Sequence, residues 1–170
     1  MTEFKLSDTI GISKSQAKEI IQQFFARVPK VDNFLYSVGQ LGRERGYIKT
    51  AKPFGRIRWF KDHEEAVERN NNYRLSEIER ASKNTPIQGT NADLIKVALI
   101  DVQNEIEDNE QFKDVQIILS VYDEINTLCP EEVAEEWKIR LEEIMVQAGE
   151  LIIRTIPVVV DVKINNYWTK

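Results

Sequence analysis

Two apolar runs separated by two residues dominate the segment 117–130, which reads IILSVYDEINTLCP. Adjacent carboxylates at Asp123 and Glu124 interrupt the apolar sequence, and desolvating them inside a continuous buried strand would be costly. The pattern therefore predicts a β-hairpin, here called the acidic hairpin, with strands over residues 115–121 and 124–128. The tight turn places Asp123 at the sheet edge, whereas Glu124 faces the opposite side because neighbouring strand residues alternate.

Asp123 is the candidate ligand of a cation at this turn. Magnesium in proteins takes one or two carboxylates and completes its shell with water and substrate phosphates. A single hard oxygen donor is therefore a partial Mg²⁺ site. The alternative, from these residues alone, is an ordinary polar surface turn.

The chain ahead of this hairpin reads mainly as helix. Ser13 and Gln16 have capping-box spacing before an apolar periodic segment. Pro29 separates that helix from a second one, which Gly42 and Gly46 close.

A second hairpin, the basic hairpin, is predicted over residues 46–60, GYIKTAKPFGRIRWF. A polar stretch follows it, and a helical pattern begins at about Leu75. Pro86 interrupts that pattern, and a long helix resumes at Gly89 or Thr90.

The sequence after the acidic hairpin predicts one more helix and one more strand. Pro130 opens the amphipathic helix, and residues 157–164, PVVVDVKI, predict the strand. Short strands separated by longer helices indicate a single α+β domain.

Composition excludes several classes of protein. One cysteine, Cys129, provides neither a disulfide framework nor a cysteine-rich metal site. The first residues lack the apolar core of a signal peptide, and no apolar run approaches the roughly 20 residues of a membrane span. We therefore expect a reducing, cytoplasmic compartment and no membrane partner.

One segment of the chain is basic although the chain as a whole is acidic. A net charge of −5 argues against a general nucleic-acid binder. Residues 41–61 nevertheless carry seven basic residues against one acid, Glu44: Arg43, Arg45, Lys49, Lys52, Arg56, Arg58 and Lys61. Such a segment suits phosphate on one face, and a solvated hairpin is the alternative.

The acidic hairpin and the basic hairpin occur together with a third motif, at residues 79–99. The stretch ERASKNTPIQGTNADLIKVAL at residues 79–99, followed by SVYDE at 120–124, resembles the C-terminal polymerase region of family A DNA polymerases, the bacterial repair-type enzymes and their phage relatives. The basic hairpin is similar to the family's Gly-Tyr-x-x-Thr…Gly-Arg-x-Arg hairpin, and YWTK at 167–170 matches its usual carboxyl end. The resemblance covers nearly the whole chain.

The resemblance implies a particular part of that enzyme. The fold would be α+β, with a short antiparallel palm sheet that contains the acidic hairpin and long helices from palm and fingers. Residues 1–110 would be the fingers-side helices and the basic hairpin, and residues 111–170 the palm sheet and helix. The family's motif A aspartate and nucleotide-binding helix would lie upstream, in another segment or polypeptide. Met1 favours a separate reading frame, and a truncated fragment is the alternative.

The resemblance also assigns roles at the acidic hairpin. Asp123 matches the aspartate that binds catalytic Mg²⁺, and Glu124 matches a supporting glutamate. Tyr122 stands where the family usually has histidine, and either side chain can offer a hydrogen-bond donor near the primer end.

A second set of matching residues would contact DNA. Gln88 and Asn84 match side chains that reach the minor groove, where purine N3 and pyrimidine O2 accept hydrogen bonds in every base pair. Arg80 matches an arginine on the template side, and Arg56 and Arg58 would meet template phosphates. The alternatives are helix-capping amides and solvated arginines.

The remaining candidate residues are interpreted as structural. Asp93 is expected near a helix N-terminus, where the helix dipole stabilises it. His63 is expected at the surface and Cys129 as a small buried hydrophobe. Trp59, Trp137 and Trp168 are expected in packing roles rather than as base-stacking platforms.

The leading hypothesis is a part-enzyme that is inactive alone: the half of a DNA-directed DNA polymerase that carries motif C, the family motif that SVYDE of the acidic hairpin resembles. Its partners would be primer–template DNA, a complementary N-terminal polypeptide, and dNTP only in the complete enzyme; its location would be host cytoplasm if phage-encoded. A non-catalytic DNA-binding or interaction module is the alternative, and a metal-dependent nuclease would need a second acidic cluster. Apolar surface left by a missing portion predicts a dimer or higher oligomer.

Overall fold

The computed structural model describes residues 2–168, and these form helices together with two small antiparallel sheets. The helices are α1 (Glu3–Ile10), α2 (Lys14–Arg27), α3 (Pro29–Arg45), α4 (His63–Glu68), α5 (Asn72–Asp108) and α6 (Ala134–Glu150). The strands are β1 (Tyr47–Lys49), β2 (Ile57–Trp59), β3 (Gln116–Val121) and β4 (Glu124–Leu128). Strand β1 pairs with β2, and β3 pairs with β4. The predicted α+β class and both hairpins are therefore confirmed.

The described residues divide into two compact units. The first contains residues up to 48 and residues 59–83, and the second contains residues 49–58 and residues from 84 onward. Helix α5 supplies residues to both. The predicted division near residue 110, into a fingers-side part and a palm part, stays a prediction.

The first unit is built from helices whose ends follow the sequence signals. Ser13 and Gln16 form the predicted capping box at the start of α2. Pro29 is the first residue of α3, where its missing N–H costs nothing. Gly46 ends α3 with φ 72°, but Gly42 lies inside the helix. Gly42 is required there for packing, because a Cβ at this position would lie 1.8 Å from Ser82 Oγ.

The second unit contains the main apolar core. Its buried members come from the later part of α5, the segment before β3 and helix α6: Val102, Ile106, Phe112, Val115, Trp137, Leu141 and Ile144. The Phe112 and Trp137 rings meet edge to face with centroids 5.0 Å apart. Arg140 on α6 donates to Glu105 on α5 at 2.6 Å and to Glu143 at 2.9 Å. These contacts tie α5 to α6, and Ile117 of the acidic hairpin packs against the same core.

The predicted break at Pro86 is wrong. Helix α5 runs through Pro86 as one helix of 37 residues. A proline removes one backbone donor, but residues buried on either side, such as Ser82 and Thr85 before it and Ile95 and Ala98 after it, retain the helical path. Burial on both sides therefore outweighs the local cost of the proline.

Two short helices were not predicted, and one predicted strand is wrong. Helices α1 and α4 occur in segments whose sequence is mainly polar, and each buries one side chain, Leu6 and Ala66. Residues 157–164 are not a strand, because no described strand pairs with them. Side chains hold this segment instead: Val162 packs on the apolar core, and Val158 lies where a side chain on Gly149 would be. Part of the YWTK motif, residues 169–170, lies outside the described residues.

Candidate functional site

The acidic hairpin has the predicted geometry. Val121 and Glu124 form the last residue pair of the β3–β4 ladder, so Tyr122 and Asp123 alone make the turn. Asp123 and Glu124 are both exposed. The ladder is irregular between Ile117 and Leu119. Two carboxylates are thus presented to solvent at the tip of a hairpin whose base packs on the core.

Tyr122 adopts an unusual backbone conformation at this tip. Its φ is 56°, a value that a bulky side chain rarely adopts, and its side chain is 90% exposed. Glycine is the residue that takes positive φ without steric cost. Tyrosine therefore occupies a position where packing does not require it and where backbone preference opposes it.

Asp123 fits one part of a magnesium site. It is an exposed hard oxygen donor, the ligand type that Mg²⁺ prefers. Within residues 2–168, however, no group of three or more His, Cys, Asp or Glu side chains is arranged to hold a metal ion. Asp123 by itself therefore offers one candidate ligand and not a complete set.

A second polar cluster joins the basic hairpin to α5 within the second unit. Arg56 Nε donates to Asp93 Oδ1 at 2.7 Å, and Arg56 Nη2 donates to the Gly89 carbonyl at 3.1 Å. Thr90 Oγ1 accepts from the backbone N–H of Ala51 at 2.9 Å. These bonds join the turn of the basic hairpin to one turn of the helix.

The prediction that a helix dipole stabilises Asp93 is wrong. Asp93 lies well inside α5, which begins at Asn72, and not near a helix N-terminus. It is buried and is compensated by Arg56 rather than by a helix dipole. The hydroxyl partners of this cluster, Thr50 and Thr90, were not predicted. The sequence holds no signal for these two threonines; a faint one exists only for the helix face beside them, where Thr85, Gly89 and Asp93 recur four residues apart.

The candidate DNA-contacting side chains are exposed. Asn84 and Gln88 lie four residues apart on α5 and therefore share one helix face. Arg58 Nη1 donates to Thr85 Oγ1 at 3.3 Å, beside Asn84. Arg80 is exposed on the part of α5 that belongs to the first unit. Their contacts with DNA stay predictions.

The burial of His63 and of Cys129 differs from what the sequence predicted. His63 is half-buried, and its Nε2 lies 2.7 Å from the Arg43 carbonyl. Cys129 is half-buried against the apolar core, and this burial raises the pKa of its thiol. His63 is thus a structural residue at the end of α3, and Cys129 is a partly buried packing residue.

The three tryptophans also differ from one another. Trp137 is buried in the core, as expected. Trp59 is 65% exposed and contacts the Tyr47 ring with centroids 4.9 Å apart. Trp168 is also exposed. The packing interpretation therefore holds fully for Trp137 alone.

Comparison with known proteins defines the class of this chain. The family model for DNA polymerase family A matches residues 1–170. A DNA polymerase I from Caldicellulosiruptor bescii is 34% identical over all of this chain and 19% of its own length. A DNA polymerase I from Bacillus caldotenax is 32% identical over 99% of this chain and 18% of its own length.

A solved structure agrees with the sequence comparison. The structure is described as the POL domain of Pol1 from M. smegmatis in complex with DNA primer-template and dNTP. It matches with a TM-score of 0.74 and 32% identity, over 87% of this chain and 25% of that chain. The present chain belongs to DNA polymerase family A, and it spans about a fifth of the length of these DNA polymerase I relatives.

Within residues 2–168, no helix combines the length and the apolar composition needed to cross a membrane.

Proposed function

We propose that this chain is the motif C portion of a DNA-directed DNA polymerase, the portion that supplies one acidic arm of the nucleotidyl-transfer site. The observation that carries the proposal is the exposed Asp123 at a two-residue turn between paired strands, in a chain of family A. The reaction would add dNMP units from dNTPs to a primer 3′-hydroxyl. The POL domain with a similar fold was solved with primer-template and dNTP, which supports these partners.

The acidic hairpin would hold a magnesium ion through Asp123, with Glu124 in a supporting role. When bound in a two-metal arrangement, Mg²⁺ would stabilise the attacking 3′-oxygen and the pyrophosphate leaving group. Asp123 contributes a fixed carboxylate because β3 and β4 leave the turn only two residues. The unfavourable φ of Tyr122 is also consistent with a functional tip, since backbone strain concentrates at such sites. Its hydroxyl would donate near the primer end.

The face of α5 that carries Asn84 and Gln88 would contact the minor groove of the primer–template duplex. The amide groups can donate to acceptors that all base pairs present there, so the contact tests pairing without reading sequence. Arg58, held beside this face through Thr85, would meet a phosphate, and so would Arg56 through its remaining N–H groups. Arg80 would contact the template side.

The portion is proposed to be inactive alone. Two-metal catalysis needs carboxylates from more than one strand, and within residues 2–168 Asp123 belongs to no group of metal-binding side chains. A complementary N-terminal polymerase segment would supply motif A, the nucleotide-binding helix and most dNTP contacts. Magnesium and dNTP binding by the isolated chain should accordingly be weak or absent.

A reconstitution experiment tests this proposal. The chain is incubated with a 5′-labelled primer–template, dNTPs and Mg²⁺, alone and together with the upstream portion of a matching family A polymerase. Extension in the mixture but not by either portion alone is expected. Salt-dependent DNA binding with no extension in any mixture would instead support the non-catalytic DNA-binding module.

A further inference from the structure

The most completely buried acid of the second unit has no role in the function proposed above. Asp93 is 6% exposed, and its Oδ1 accepts from Arg56 Nε at 2.7 Å. Its Oδ2 is buried without a hydrogen-bond partner among the described residues. A buried carboxylate is costly unless it is paired, so the position of Asp93 depends on Arg56.

The Arg56 guanidinium spans one turn of α5. Besides Asp93, it contacts the Gly89 carbonyl through Nη2 at 3.1 Å. Two donors in one rigid plane can contact two acceptors at once, which a lysine ammonium at the end of a flexible stem does less well. The Arg56–Asp93 pair therefore fixes both the distance and the orientation of the basic hairpin relative to α5.

Hairpin backbone bonds complete this connection. Thr50 Oγ1 accepts from Arg56 N, and Thr50 N donates to the Arg56 carbonyl, each at 2.9 Å. Ala51 N donates to Thr90 Oγ1 at 2.9 Å. A Cβ on Gly89 would lie 2.6 Å from Thr50 Cγ2, so only glycine permits this approach. The base of the hairpin turn is thus held against the helix turn that directly follows Gln88.

We propose that Asp93 is a positioning residue: through Arg56 it holds the basic hairpin on α5, so that Arg58 and the face of Asn84 and Gln88 contact the same DNA duplex. The proposal rests on the proposed function for its DNA contact, but the connection itself does not. Arg58 lies on β2 and reaches Thr85, the residue after Asn84 in α5, and Arg56 directly precedes this strand. Loss of Asp93 would release this strand and separate the two sets of contacts.

Amide hydrogen exchange tests the connection independently of DNA. In Asp93→Ala, protection of the Ala51 and Arg56 amides should fall by about tenfold or more, while amides of the core segment near Val102 change little. Asp93→Asn retains an acceptor for Arg56 but loses the charge, so it should show a smaller loss. Asp108→Ala, which removes an exposed acid from the same helix, is the charge-matched control.

Primer–template affinity tests the positioning role, because loss of a positioning acid should lower the affinity, whereas loss of an ordinary acid should not. Removing an acid near DNA should by itself leave affinity unchanged or raise it, and Asp108→Ala should do this. Asp93→Ala should instead weaken binding by about three- to tenfold, the scale of one lost hydrogen bond. The dependence of affinity on salt should become less steep, because the released strand carries the proposed phosphate contact of Arg58.

The two readouts separate the possible outcomes. Lower amide protection together with weaker DNA binding supports the proposal. Unchanged protection of Ala51, or protection lost with DNA affinity unchanged or raised, overturns it. If the unsubstituted chain binds no primer–template, the DNA-binding function fails and the positioning role fails with it, whereas exchange at Ala51 still decides whether Asp93 holds the hairpin.

Discussion

The indole Nε1 of Trp137 donates a hydrogen bond to Thr127 Oγ1 over 2.8 Å and so connects the buried core helix α6 to strand β4. Trp137 is 2% exposed and packs on Phe112, whereas β4 begins at the exposed Glu124. The orientation of the acidic hairpin is therefore set by the core beneath it, not by its turn. The magnesium site proposed at Asp123 would require a support of this kind.

Thr127→Val should destabilise the second unit. Valine keeps the shape of threonine but leaves the buried Trp137 N–H without its acceptor, at a cost of about 1–3 kcal/mol in the free energy of unfolding. Urea denaturation followed by tryptophan fluorescence measures this cost. Thr127→Ser retains the hydroxyl and is the control. Equal losses in the two variants would contradict a role for the hydrogen bond.

Two glycines of α3 should respond oppositely to alanine. At Gly42 a Cβ would lie 1.8 Å from Ser82 Oγ and 2.6 Å from Ser82 Cβ, so Gly42→Ala should cost about 2 kcal/mol or more through overpacking. At Gly39 the nearest atoms are Lys83 Cε and Glu79 Cγ, in flexible side chains that can move. Gly39→Ala should be neutral or stabilising, because alanine favours helix by about 1 kcal/mol over glycine.

Thermal unfolding of both variants measures the difference. Ser82→Gly, added to Gly42→Ala, should recover part of the loss by removing the atoms in conflict. Similar unfolding temperatures for Gly39→Ala and Gly42→Ala would contradict the close approach of α3 to α5 at Ser82.

Stability should depend on pH through Glu105. The hydrogen bond from Arg140, reinforced by one from Asn109, lowers the pKa of the Glu105 carboxyl against the opposing effect of burial. A lowered folded-state pKa stabilises the fold above the unfolded-state pKa of about 4.3, and this contribution is lost as pH falls through the folded-state value.

Glu105→Gln should therefore reduce the free energy of unfolding at neutral pH by about 1–2 kcal/mol, the scale of a charge-assisted hydrogen bond. The difference from the unsubstituted chain should shrink progressively below about pH 4. Glu107→Gln, at an exposed position on the same helix, should change stability by less than about 0.5 kcal/mol at neutral pH. A Glu105→Gln effect that is constant down to acid pH would contradict the ion pair.

Strong local signals in the sequence were sufficient for the two hairpins. The alternation of apolar runs around Tyr122 and Asp123 predicted β4 with its observed bounds and β3 to within one residue. The position of Asp123 at the exposed sheet edge followed from the same pattern. The capping box at Ser13 likewise predicted the start of α2.

Features that depend on tertiary contacts could not be predicted from the sequence. Pro86 breaks an isolated helix, and only burial on both sides retains α5 through it. The partner of Asp93 is Arg56, 37 residues earlier in the chain, and no local rule joins two such residues. Residues 157–164 have strand-like alternation, but a strand also needs a neighbour to pair with.

Helix α2 should mediate self-association. The apolar periodicity of α2 suggests a buried face, yet Ile20 is 46% and Phe24 is 58% exposed. Exposed apolar patches of this kind favour association. Light scattering should show a dimer or higher oligomer that dissociates on dilution, and Phe24→Glu should shift it towards monomer. Gln22→Glu, at an exposed polar position of α2, should leave the distribution unchanged; a monomer at all concentrations would contradict the prediction.

The most direct test of the central claim is primer extension by the reconstituted mixture with Asp123→Ala in this chain. Extension should fall by at least about a hundredfold, as for other losses of catalytic electrostatic stabilisation. Asp114→Ala, which removes an exposed acid just ahead of β3, should leave extension near that of the unsubstituted mixture. Loss of extension with Asp123→Ala but not with Asp114→Ala would establish Asp123 as an arm of the metal site. Equal extension by both variants would contradict a catalytic role for the acidic hairpin.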